Sequence, residues 1–233
     1  MQNIPPTPPS SPPVKVASNK KSRTQVIARM GVFVALLILG ALISIPIPFS
    51  PVVITLQTLV IMLITIAFKP PFAIATLLIY IAMGSAGLPV FSALQNFSVY
   101  FNPGGGFIIG FVPATLFMSY SISLLEKKIP HSLINKKNQS FNNAGDIAPI
   151  KNKQIILKSS LLVTIAIIFT AIYMIIGALW FMYVFMPLFA ATPTNITFGA
   201  ALMAVVVPFL PGEAIKITAA VIAYPALIKF RNK

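Results

Sequence analysis

Two ionisable residues lie inside an apolar run where charge is costly. Glu213 and Lys216 fall in the stretch around 199–226, at an i, i+3 spacing that puts both on one helix face. A charged side chain at the centre of a bilayer costs at least about 2.5–3.5 kcal/mol, and such residues usually face a cavity or a partner. The pair is either a structural ion pair that neutralises itself or part of a functional site facing a cavity. The residues just before it favour a site. In Pro208-Phe209-Leu210-Pro211-Gly212 the two prolines each remove a backbone donor and free the carbonyls of Ala204 and Val207. A broken helix is predicted, with a half-helix starting near Gly212 whose N-terminal dipole favours an anion.

Other chemistry is scarce. Cys is absent, which excludes a disulfide framework, a thiolate metal site and a Cys nucleophile. The single His131 sits in a polar segment, so no His pair and no Ser-His arrangement lies within the apolar runs. The remaining acids, Glu126 and Asp146, fall in the polar segment 126–158. An enzyme working in the membrane would need a base, a nucleophile or a ligand set in the spans, and one acid with one lysine does not supply it. No catalytic residue, metal or cofactor is expected. Gly104, Gly106 and Gly110 give the spacing GxGxxxG without a strand or a Lys-Ser after it, so they are not a phosphate cradle.

Three further groups could serve a ligand or a partner. Thr55, Gln57 and Thr58 bring a polar cluster into the second apolar run, as ligand neighbours or as caps of a helix. The uncharged connection 89–104 carries Phe91, Phe97, Tyr100 and Phe101, a cover for a ligand or an interfacial aromatic belt. Gly106 with Gly110, and Gly31 with Ala35, are small-residue pairs that permit close helix approach. Internal packing is expected for Gly106; for the first helix, contact with another membrane subunit competes with packing.

The elements that must position these residues follow from hydropathy. Of 233 residues, 57% are hydrophobic and 9% charged, against roughly 25% charged in soluble chains, and mean hydropathy is +0.91. Apolar runs at about 30–46, 52–68, 72–88, 105–125, 159–187 and 199–226 predict an all-α, polytopic membrane protein with six transmembrane helices. Every Lys and Arg except Lys216 falls in the N-terminal tail, at Lys69, in 126–158 or at the C-terminal end, while the alternate connections carry no charge. That alternation places both termini in the cytoplasm. It also accounts for the net charge of +14 through orientation and contact with anionic lipid, without nucleic acid. The Pro-rich residues 1–29 read as a disordered, uncleaved cytoplasmic tail. Residues 30–226 form the membrane domain, interrupted by a cytoplasmic linker at 126–158, and 227–233 form a cytoplasmic end. No internal repeat is visible, which weighs against duplicated transporter architectures.

Four blocks in order carry a resemblance: Ile45-Pro46-Ile47-Pro48-Phe49-Ser50-Pro51-Val52-Val53-Ile54-Thr55-Leu56-Gln57-Thr58-Leu59, then Gly87-Leu88-Pro89-Val90-Phe91, then Pro103-Gly104-Gly105-Gly106-Phe107-Ile108-Ile109-Gly110-Phe111, and finally Pro211-Gly212-Glu213-x-x-Lys216. From about Arg29 to Tyr224 the chain resembles the BioY family, the biotin-binding substrate components of energy-coupling factor (ECF) transporters. The resemblance implies a six-helix domain in the bacterial cell (inner) membrane that binds biotin from outside. It implies as partners a transmembrane coupling subunit and two cytoplasmic ATP-binding subunits, which would use the ATP, since this chain has no ATP-binding signature. The family's final acid and lysine match Glu213 and Lys216, and its first-helix packing face matches the region of Gly31 and Ala35. On this reading Lys216 holds the valerate carboxylate and Glu213 accepts from a ureido N–H. Phe91 and Phe107 would cover the bicyclic ring, with Thr55 and Gln57 as polar neighbours. The chain departs from the family in having Glu213 where Asp is usual, and in a bulkier outer loop from Ser92 to Asn102. A self-sufficient ion-coupled permease is the alternative, since a lone Glu could carry a proton.

Overall fold

The computed structural model describes residues 23–48, 50–128, 150–188 and 197–232. Most of the expected tail, Phe49, the central part of the expected linker with His131 and Asp146, and Lys233 lie outside the described residues. The chain is mostly helical. In chain order the helices are α1 (Arg23–Leu42), α2 (Gln57–Ala67), α3 (Pro70–Ser85), α4 (Gly105–Lys128), α5 (Ile150–Trp180), α6 (Phe198–Val205) and α7 (Leu210–Asn232). A π-helical turn, Phe181–Phe185, carries α5 on to Leu188, and a 3-10 turn, Val207–Phe209, separates α6 from α7.

Among the described residues, four segments are long and apolar enough to cross a bilayer: Thr24–Leu42, Gly105–Lys128, Leu157–Leu188 and Phe198–Lys229. The other two expected spans are shorter, α2 with 11 residues and α3 with 16. The second apolar run is helical only from Gln57 because Ile54 and Thr55 are drawn into an antiparallel bridge with Ser44 and Ile45. Leu56 N–H then donates to the Gly40 carbonyl at 2.9 Å, which ties the start of α2 to α1. Lys69 is extended and Pro70 and Pro71 open α3, the helix position where a missing N–H costs least.

The polar segment 126–158 is not all linker. Glu126 lies in the last turns of α4, and α5 begins at Ile150. Glu126 binds Lys158 Nζ at 2.6 Å and accepts from the Tyr224 hydroxyl, so α4, α5 and α7 meet at this end of the bundle. A helical, ion-paired Glu126 replaces the expected loop residue: an acid with a cation and a phenol beside it can be buried, whereas an acid alone would be driven to water. Arg231 is buried as well and donates to the Thr65 carbonyl of α2 at 3.1 Å. Burial holds its guanidinium below the ordinary value, against the pull of the Glu126 carboxylate. Both expected cytoplasmic boundaries therefore shift, with α1 helical from Arg23 and α7 helical to Asn232.

The α4–α5 contact is the most extensive among the described helices and explains the glycine spacing. A Cβ built on Gly106 would fall 2.2 Å from Trp180 Cβ, and one on Gly110 would fall 2.9 Å from Tyr173 Cα. Gly177 of α5 is filled in turn by the Phe107 ring, at 2.6 Å from its would-be Cβ. Backbone approach of this kind is what small residues allow between membrane helices. Gly106→Ala should accordingly destabilise the protein by about 1–3 kcal/mol, because tightly packed interiors resist an added methyl. Gly199→Ala, where nothing lies within 4 Å, should be neutral; thermal unfolding of both variants in detergent checks the difference.

Candidate functional site

The expected helix break is present. Val206 N–H closes α6 on Leu202 O at 2.9 Å, Phe209 N–H bonds Val206 O at 3.0 Å, and α7 resumes at Leu210. The break is two residues earlier than Gly212, because Pro211 can sit in the first turn of a helix, where its N–H would be unused. Glu213 falls in that first turn. The positive end of the helix dipole thus faces the chain's own carboxylate.

Around Glu213 the polar groups are tightly arranged. Lys216 Nζ lies 2.6 Å from Glu213 Oε1 and 3.0 Å from Thr58 Oγ1. The Thr58 hydroxyl donates to Glu213 Oε1 at 3.0 Å. Glu213 and Lys216 are 3% and 5% exposed, so the pair is held out of solvent, and the contact to α2 spans 155 residues of sequence. Glu213 Oε2 is buried without a hydrogen-bond partner.

The triad lines a narrow cleft of about 50 Å³ among α2, α4, α5, α7 and the connection 86–104. Thr55, Gln57, Phe107, Glu213 and Lys216 all line it, so five of the predicted ligand residues are brought together. Gln57 is fixed at both ends of its amide: Oε1 accepts from Thr55 Oγ1 at 3.0 Å and Nε2 donates to Tyr80 OH at 2.5 Å. Tyr80 OH donates to the Val90 carbonyl at 3.0 Å, which ties the connection 86–104 to the wall of the cleft. The Phe107 ring, 8% exposed, lies 6.3 Å from the rings of Tyr173 and Phe209.

Phe91 does not line the cleft. Its fully buried ring lies edge-on to Tyr80, 5.4 Å away, and occupies the space a side chain at Gly84 would fill. It anchors the connection to α3, and Ser92 and Val99 reach the cleft in its place. The same connection holds Ala93 and Leu94 at φ 54° and 58°, a left-handed conformation uncommon for residues other than glycine.

Thr58, Tyr173 and Phe209 are among the lining residues outside the predicted ligand set. Thr58 had its polar neighbours as a signal. Tyr173 of α5 and Phe209 of the 3-10 turn carried none, since a Tyr or Phe in an apolar run reads as core. The Tyr173 phenol stands within electrostatic reach of both Glu213 and Thr58. No group of three His, Cys, Asp or Glu residues capable of holding a metal occurs among the described residues. Gly31 and Ala35 lie far from this chemistry, on an exposed face of α1 beside Ile27, Val32 and Leu39, and a Cβ on Gly31 would meet nothing within 4 Å.

Chemically, the cleft offers an ammonium whose present partners are a carboxylate and a hydroxyl, beside aromatic walls. An incoming carboxylate can compete for Lys216, and an N–H donor can use Glu213. This arrangement suits recognition of a small molecule with an acid at one end.

The chain is similar in sequence and fold to several known proteins. A "Probable biotin transporter BioY" of Lysinibacillus sphaericus is 33% identical over 107 residues, 46% of this chain and 54% of that protein. The "Biotin transporter BioY2" of Lactococcus lactis is 32% identical over 100 residues, 42% of this chain and 55% of that protein. The "Biotin transporter BioY" of Thermotoga maritima is 33% identical over 101 residues, 43% and 56% of the two chains. The chain thus spans about half the length of the curated relatives it matches. The fold is similar to the 2.1 Å crystal structure of the S-component for biotin from an ECF-type ABC transporter, with a TM-score of 0.65, 20% identity, and coverage of 90% of this chain and 95% of that one. That likeness shows the fold. These relatives are transporters rather than enzymes, and the chain is a multi-pass cell-membrane protein. The sequence model of the BioY family matches residues 15–233, and the chain therefore belongs to the BioY family.

Proposed function

We propose that the chain binds biotin tightly from outside the cell and serves its uptake as the substrate-specific component of an ATP-driven ECF transporter. The observation that carries this reading is the buried Lys216–Glu213–Thr58 cluster at a helix break, lining an aromatic cleft. Lys216 exchanges Glu213 for the valerate carboxylate, and Glu213 turns to a ureido N–H. Phe107, Tyr173 and Phe209 supply apolar contact for the fused rings, with Gln57 and Thr55 at the polar edge.

The topology proposed is six spans with both termini cytoplasmic, α2 and α3 crossing as a short pair whose outer end is completed by the connection 86–104. Energy would come from a transmembrane coupling subunit and two ATP-binding subunits. The exposed face at Gly31 and Ala35 supports α1 as the surface for the coupling subunit, since small residues free of internal contacts leave room for a second helix. An ion-coupled permease working alone draws support from Glu213 Oε2, which is free to carry a proton. Uptake that continues in cells lacking any ATP-binding partner would favour that second reading.

Two outcomes follow. Lys216→Met should weaken biotin binding by at least about thirtyfold, because an unpaired buried carboxylate costs about 2–5 kcal/mol. Biotin amide, lacking that carboxylate, should bind wild type poorly and lose little further in the variant; titration calorimetry on purified protein compares the four affinities. Equal fractional losses for acid and amide would count against Lys216 as the carboxylate ligand. Replacing Gly31 or Ala35 by Leu should leave biotin binding intact and impair uptake into cells carrying the partners. Loss of binding together with uptake would mean that this face serves the chain's own packing.

A further inference from the structure

A second cavity lies behind the triad. A crevice of about 800 Å³, counting its mouth, opens between α5, α6 and α7. Its walls are apolar, with Ile167, Met174, Ile175, Leu202, Leu210 and Ile217. Two polar residues break that pattern, Thr170 and Glu213. Both are more than nine-tenths buried, at 6% and 3% exposed, and each has an oxygen without a hydrogen-bond partner, Thr170 Oγ1 and Glu213 Oε2. Glu213 therefore stands between the two cavities, with Oε1 committed to Lys216 and Thr58 and Oε2 uncommitted.

Buried polar atoms are seldom left without partners, and the pair of orphans defines what is missing. A carboxylate oxygen only accepts, whereas a threonine hydroxyl both donates and accepts. An alcohol carries both complements, a donor for Glu213 Oε2 and an acceptor for the Thr170 hydroxyl. No Lys or Arg lines the crevice, so a phosphate would enter without a counter-charge, next to a carboxylate. The mouth opens beside Ile167, Ile175 and Leu210, which are 53%, 48% and 49% exposed. These residues belong to the two longest candidate spans, so the medium at the mouth is the bilayer. Counting from Lys229 at ~1.5 Å per residue, Glu213 lies ~24 Å along α7, which is ~6 Å below the far edge of a ~30 Å hydrocarbon layer. Glycerol hydroxyls of neutral lipids lie close to that level.

We propose that the α5–α6–α7 crevice is a second ligand site, for a neutral glycerolipid with a free hydroxyl, whose acyl chain lies on the apolar wall and whose hydroxyl pairs Glu213 Oε2 with Thr170 Oγ1. The site shares Glu213 and Met174 with the proposed biotin cleft but opens on the other side of Glu213, and it stands whether or not that cleft takes biotin.

The probe is dioleoylglycerol, compared with its acetylated form, which has no free hydroxyl. Each is titrated into the full-length protein in detergent, and bound lipid is counted by native mass spectrometry. Dioleoylglycerol should bind one per chain, and the acetylated form about tenfold or more weakly, the loss of one hydrogen bond to a charged group. Thr170→Val should weaken dioleoylglycerol by about three- to tenfold, and Thr170→Ser should restore it. Ala171→Phe, which fills the crevice from an exposed position, should abolish binding with the thermal midpoint unchanged. Equal binding of the two lipids, or indifference to both Thr170→Val and Ala171→Phe, would overturn the proposal and leave the crevice as ordinary lipid-facing surface. Failure of biotin binding alone would sink the uptake reading and not this one.

Discussion

An ammonium and a carboxylate held out of water inside an apolar bundle must satisfy each other, and the rest of this structure is arranged around that requirement. Removing either charge from solvent costs several kcal/mol, repaid only by good geometry and further hydrogen bonds. Here the geometry is a 2.6 Å contact between Lys216 and Glu213 with Thr58 bonded to both. Because Thr58 belongs to α2 and the pair to α7, the requirement fixes two helices that are remote in sequence. It also fixes the break between α6 and α7, which puts Glu213 in a first helical turn where the dipole favours its charge.

The same requirement makes the pair a poised site. The pair is satisfied, yet Glu213 keeps an oxygen unbonded, and the ammonium lies on the wall of a cleft rather than in a sealed core. A ligand that brings its own carboxylate and its own N–H replaces each partner in kind. The connection 86–104 is held by a chain of contacts running from Thr55 through Gln57 and Tyr80 to Val90. Phe91, seated against Gly84, anchors that connection from behind. At the other end of the bundle Glu126, Lys158 and Tyr224 join α4, α5 and α7, so both ends are pinned by charge while the middle is held by apolar packing and the glycine contact of α4 with α5.

What was legible in the sequence was what local chemistry dictates. Two prolines three apart broke a helix, glycines four apart packed against a facing helix, and an acid and a lysine three apart shared a face. The polar residues Thr55 and Gln57 reached the cleft from either side of the turn into α2, Thr55 in the bridge and Gln57 in the first turn of the helix. What was not legible depended on long-range pairing. Glu126 reads as a loop residue until Lys158 and Tyr224 are brought beside it, and Phe91 reads as a ligand cover until Gly84 offers it a seat. Tyr173 is indistinguishable from core aromatics until α5 is set against α2 and α7. The length of α2 was misjudged because apolar residues at 52–56 serve equally well in a helix or in an extended bridge.

The account claims that Glu213 and Lys216 are kept for a ligand, and at no gain in stability. The most direct measurement is thermal unfolding of the double variant Glu213→Gln with Lys216→Met, with and without biotin, beside wild type. Replacing a buried ion pair by neutral groups of similar size is often neutral or stabilising. The ligand-free double variant should therefore unfold at or above the wild-type midpoint, and biotin should raise the midpoint of wild type alone. A double variant that unfolds well below wild type, or one that biotin stabilises as much as wild type, would contradict the account.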